Sequence, residues 1–171
     1  MFIKSLVLSV ALLFSPLHVI LDEVGVMDVV VDTIKEETVS ENWNNAWENA
    51  GELEGYGDFI IKSSMKHNVD PRLVSAIILY ETNWGNSPSL VKHNNPLGVL
   101  DPKTEFKQLK TFNSLEIGLD ASVKSIAKIV HKNKVKSIEE LGEIYAPSLI
   151  DNITHQNWVD GVEDIYSTLE K

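Results

Sequence analysis

The stretch that most constrains the fold is Val69 to Val99, VDPRLVSAIILYETNWGNSPSLVKHNNPLGV. Asp70 stands where a helix N-cap belongs. Pro71 fits the first helical position, because the N–H it lacks would have no helical partner there. Leu73, Val74, Ile77, Ile78 and Tyr80 follow at helical spacing. The pattern predicts a helix that runs into Glu81, breaks at Trp84-Gly85 and leads to an Asn-Asn-Pro turn closing at Gly98. Glu81 comes seven residues after Val74, four after Ile77 and three after Ile78. Its carboxylate is therefore expected on or beside the apolar face, near the C-terminal end of the helix. A carboxylate desolvated there, close to negatively polarised helix carbonyls, is expected to hold its proton to unusually high pH. That is the property a general acid needs.

The residues around Glu81 add to this reading. Glu81-Thr82-Asn83-Trp84-Gly85-Asn86-Ser87, followed by Asn94-Asn95-Pro96-Leu97-Gly98-Val99, resembles the glucosaminidase family of bacterial peptidoglycan hydrolases. There a helix ends in a Glu-Ser-x-Trp-Gly-x-Ser pattern, and an Asn-Asn-aromatic-Gly pattern follows. Two departures stand out: Thr82 replaces the usual Ser, and Pro96-Leu97 stands where Leu-Phe is more common. Neither removes a group that could do chemistry. Tyr145-Ala146-Pro147, then Asn157-Trp158 and a closing helix, are also similar to that family. The resemblance covers roughly residues 56–171. It implies a mainly α-helical, lysozyme-like domain with one small β-hairpin lining the cleft.

Residues 1–21, MFIKSLVLSVALLFSPLHVIL, read as an export signal with a small positive n-region and an apolar stretch from Ser5 to Phe14. No clear small-x-small cleavage site follows, so a cleaved signal peptide and a retained membrane anchor both stay open. In either case the rest of the chain is expected outside the cytoplasm. Residues 22–55 hold ten acidic residues against one basic, Lys35, and so carry most of the net charge of −10. They read as an acidic linker. Trp43 and Trp47, at i, i+4 spacing, form either a docking face for sugar or partner, or a patch that packs onto the domain; packing is the favoured of the two.

From Tyr56 onward the pattern is helical. Tyr56, Phe59, Ile60 and Met65 predict a first helix ending near His67-Asn68, and the Glu81 helix is the second. Residues 86–96 read as turns. Leu97 to Phe112 is the one β-like part, with a turn at Asp101-Pro102-Lys103 and a return strand over Glu105 to Leu109. Asn113 with Glu116 is expected to open the next helix, whose core stripe is Leu115, Leu119, Ser122, Ile126 and Ile129. Ser137 with Glu140 predicts a capping box for a short helix, and Trp158, Val162, Ile165 and Leu169 share one face of the last.

The composition removes several kinds of chemistry. Cysteine is absent, which excludes a thiol nucleophile and a Cys-ligated metal. Arg72 is the single arginine, and with the negative charge and no basic run nucleic-acid binding is not expected. The five histidines show no ligand spacing, so neither a metal nor any other cofactor is expected. Hydrolysis of a β-1,4 glycosidic bond needs a proton for the leaving oxygen and a second group to meet the developing cation. Glu81 is the candidate acid. For the second group the expected hairpin offers Glu105, ranked above Asp101, which reads as turn chemistry. Failing both, the substrate's N-acetyl oxygen would attack, with Tyr145 orienting it as the family resemblance implies. Tyr80 and Trp84 are candidates to stack on sugar rings, and Asn94 and Asn95 to bind N-acetyl groups. The reading that follows is an exported, monomeric endo-β-N-acetylglucosaminidase acting on peptidoglycan glycan strands. A lytic transglycosylase and a non-catalytic wall-binding module are the alternatives.

Overall fold

Seven α-helices account for most of residues 41–148 and 151–170, the part of the chain described by the computed structural model. They are α1 (Glu41–Glu48), α2 (Gly57–Lys66), α3 (Pro71–Glu81), α4 (Pro88–His93), α5 (Leu115–Asn133), α6 (Ile138–Tyr145) and α7 (Asn152–Glu170). The export signal or anchor expected over 1–21, and the linker as far as residue 40, lie outside the described residues. Among the described residues no helix is long and apolar enough to cross a membrane.

The helix α3 forms where its start signal predicts. Asp70 Oδ1 accepts from the Arg72 N–H at 2.8 Å, with Pro71 at the first helical position. The same carboxylate accepts from the Tyr166 hydroxyl on α7 at 3.0 Å, so the cap also joins two helices. Val74, Ser75, Ala76, Ile77, Ile78 and Leu79 are all buried, an unbroken run rather than a stripe. A helix buried on every side is the centre of a bundle. Around it, α7 makes the most extensive contact, α2 packs on α3 and α5, and α6 packs on α7. On α7, the face carrying Trp158, Val162, Ile165 and Leu169 is buried as its spacing predicts. On α5, Leu119, Ser122 and Ile126 are buried, with Leu115 and Ile129 half-buried at the ends of the stripe.

Four local expectations need correction. The linker read over 22–55 gives its last part to the bundle, and the favoured packing of its two indoles holds: α1 packs against α7, and Trp43 and Trp47 are 2 % and 3 % exposed. Two indoles four residues apart bury too much apolar area to stay on a linker. Residues 86–96 contain the short helix α4, capped by Ser87, with Leu90 buried beneath it. The cap of α5 is Ser114, not Asn113; the Ser114 side chain accepts from the Ile117 N–H.

The hairpin is the largest correction. Among the described residues there is no strand, only an isolated antiparallel bridge between Leu100 and Leu109. Asp101 instead caps a single 3₁₀ turn over Pro102–Thr104. Glu105 and Phe106 then take positive φ angles of 55° and 59°, which no β-ladder accommodates. Leu100 and Phe106 are exposed, so neither face of the loop has a core to fix a register.

Candidate active site

Glu81 is the last residue of α3, and the turn after it is tightly closed. Thr82, fully buried, donates its hydroxyl to the Ile78 carbonyl at 2.6 Å and accepts from the Gly85 N–H at 3.0 Å. The hydroxyl thus adds a second bond to the Ile78 carbonyl, which also accepts the Thr82 N–H, and serves one buried donor beyond the helix. Asn83, Trp84 and Gly85 all have positive φ. At Gly85 a side chain is excluded, since a Cβ would stand 1.8 Å from the Ala50 carbonyl oxygen. The segment linking α1 to α2 therefore covers the turn directly, and the Glu52 N–H donates to the Gly85 carbonyl.

The Glu81 side chain is half-buried rather than sealed in an apolar face. Its Oε1 accepts from the Trp158 indole N–H of α7 at 2.8 Å. Among the described residues its Oε2 accepts no hydrogen bond. Two tyrosines surround the indole. Tyr145, at the end of α6, stacks on Trp158 with ring centroids 5.1 Å apart and planes at 17°. Tyr80 meets Trp158 edge-on at 6.4 Å and donates to the Asn157 carbonyl at 3.2 Å. Burial first, and then the nearby Glu81 charge, raise the hydroxyl pKa of both tyrosines above 10.0. Both phenols therefore remain hydrogen-bond donors at neutral pH.

Beside this cluster lies a cavity of about 590 Å³ lined by Tyr80, Glu81, Asn83, Trp84, Gly161, Asp164 and Ile165. Gly161 is what lets α7 come this close, because a Cβ there would lie 2.2 Å from the Tyr80 ring. Asp164 is the one other carboxylate among the lining residues, and it is exposed. The cavity thus has a pinned carboxylate and two aromatic side chains, Tyr80 and Trp84, in its lining. Such a combination suits a ligand with apolar faces and polar edges.

The structure brings Glu81, Tyr80 and Trp84 to one cavity and sets Tyr145 beside them through Trp158. The other expected residues stand elsewhere. The Glu105 side chain is 81 % exposed, pairs with Lys107 at 2.6 Å, and is not among the cavity's lining residues. Asp101 accepts from the Lys103 N–H, the turn chemistry that its place before Pro102 predicts. Asn95 is fully buried and spends its amide on the loop: Nδ2 donates to the Val99 and Lys110 carbonyls, and Oδ1 accepts from the Val99 N–H. Asn94 adopts the left-handed conformation at the end of α4 and donates to the Phe112 carbonyl. Both asparagines pin the loop from Val99 to Phe112 to α4; no contact directs them at the cavity.

Trp158 and Asp164 were not among the expected site residues. Trp158 sits on the apolar face of α7, where an aromatic reads as core. The usable signal was its indole N–H, which a buried Trp seldom leaves without a partner. Gly161, three residues on and inside a helix, was a second signal, because such a glycine marks close approach. Among the described residues no three His, Cys, Asp or Glu side chains gather into a metal-binding group. No family model matches the chain, and no curated protein matches it.

Proposed function

We propose that the chain is an exported peptidoglycan hydrolase of the glucosaminidase type, built on a lysozyme-like scaffold, with Glu81 as its general acid. The observation that carries this is the Glu81 carboxylate at the end of the central helix, held through one oxygen by Trp158 beside an aromatic-lined cavity. The fixed oxygen sets the orientation of the carboxyl group, leaving the other to protonate a leaving glycosidic oxygen. Tyr80 and Trp84 offer ring faces for sugar C–H surfaces. In this reading Tyr145, a hydroxyl donor next to the Glu81–Trp158 pair, orients the N-acetyl group of the substrate, and the exposed Glu105 has no part in the chemistry.

One observation favours the second reading, a lytic transglycosylase. The expected second acid, Glu105, is occupied by Lys107 and does not line the cavity. A transglycosylase needs one acid and adds no water. Digestion of purified peptidoglycan with the full chain separates the readings, with product ends identified by mass spectrometry. Reducing N-acetylglucosamine ends are the expected result. Anhydro-muramic ends move the assignment to transglycosylase, and binding without any product makes the chain a wall-binding module.

A further inference from the structure

Both ring nitrogens of His155 face acceptors. The side chain, near the start of α7, is 3 % exposed. Its Nδ1 lies 2.9 Å from the Ala146 carbonyl oxygen. Its Nε2 lies 3.6 Å from Glu139 Oε1 and 3.7 Å from Glu143 Oε1, both on α6. A carbonyl can only accept, and so can a carboxylate. A neutral imidazole has one N–H and would turn a lone pair on one of these partners; the imidazolium alone satisfies both sides.

The surroundings are few. From α6 come Glu139 and Glu143, the latter also held by the Ser148 hydroxyl at 2.7 Å. Just before α7, the Asp151 carbonyl accepts the His155 backbone N–H. Among the described residues, α1 and α3 bring no charged group within ion-pair distance of the ring. Burial opposes the charge on His155, but the Ala146 carbonyl and then the two carboxylates outweigh it, and the pKa is pushed above its ordinary value of 6.5.

Ala146 directly follows Tyr145, the residue stacked on Trp158, and Trp158 in turn holds Glu81. We infer that His155 is a positioning residue for the Glu81 site: as an imidazolium it ties the Tyr145-Ala146 turn to α7, and so keeps the Tyr145–Trp158 stack against Glu81. A group whose pKa is raised by folding stabilises fully below its unfolded value and loses that effect as pH rises through the folded one. The tie is therefore strongest in acid and weakens toward alkaline pH, where the neutral ring keeps one N–H for the Ala146 carbonyl and turns a lone pair on Glu139 and Glu143. The catalytic consequence rests on the reading of Glu81 as the acid; the coupling from His155 to Trp158 does not.

The test is an NMR titration of the full chain from about pH 5 to about pH 9, following the His155 imidazole and the Trp158 indole N–H. The His155 midpoint is expected above that of free histidine, with the indole resonance moving at the same midpoint. Replacing both Glu139 and Glu143 by Gln, at positions 61 % and 47 % exposed, should lower the two midpoints together. In His155→Gln the indole titration should vanish; if that variant fails to fold, the double Gln variant decides. An indole resonance that ignores the His155 titration would overturn the proposal, as would a His155 midpoint at or below that of free histidine. Where cleavage is measured, kcat should fall across the midpoint while KM holds. The spectra decide the coupling whether or not the chain cleaves peptidoglycan, so its failure and that of the proposed function are separate results.

Discussion

The turn after Glu81 and the loop from Val99 to Lys110 both contain consecutive positive-φ positions that are not glycine, Asn83-Trp84 in one and Glu105-Phe106 in the other. They end up as different structures. In the first, Thr82 is buried, the Trp84 N–H reaches back to Leu79, and the chain around Ala50 closes over Gly85. In the second, Glu105 and Phe106 stand in solvent, and the hydrogen bonds of Asp101 and Thr104 stay within the loop. The Asn95 side chain, with Asn94 just beyond it at Phe112, ties that loop down. What separates them is cover by a remote segment. A turn closed by tertiary packing can hold a carboxylate to a fixed partner; a turn closed by its own residues holds only its own shape.

That difference can be broken at its source. Trp47→Ala, on the helix leading to the covering segment, should cost about 3–5 kcal/mol of stability, measured by denaturant unfolding of the full chain. Gly85→Ala drives a Cβ into the Ala50 carbonyl and forces a positive φ on alanine, at about 3 kcal/mol. Thr82→Val keeps the shape but strands the buried Gly85 N–H, at about 1–3 kcal/mol. In the exposed loop, Glu105→Gln should change stability by no more than about 0.5 kcal/mol and leave peptidoglycan cleavage near the wild-type rate. A large loss of cleavage in that last variant would restore Glu105 as the second acid and undo the contrast.

The same contrast explains what was legible in the sequence. The helix into Glu81 could be read because its signals are local: a capping Asp, a first-turn Pro and apolar residues at helical spacing. The stripes on α5 and α7 were legible for the same reason. Trp43 and Trp47 showed that some packing would occur but not that the acidic stretch helps to close the Glu81 turn, since that contact joins residues far apart in sequence. The loop after Leu97 alternates enough to suggest a strand, yet alternation needs a core on one side to become one. Trp158 lies on the core-facing stripe of α7, so its bond to Glu81, 77 residues away, left no periodic trace.

The measurement that tests the central claim most directly is the initial rate of cleavage of purified peptidoglycan by the full chain, wild type beside Glu81→Gln, with unfolding curves for both. The account predicts a loss of about 10²–10⁴-fold in the variant with its unfolding transition retained. A variant that cleaves at close to the wild-type rate would contradict the assignment of Glu81 as the acid.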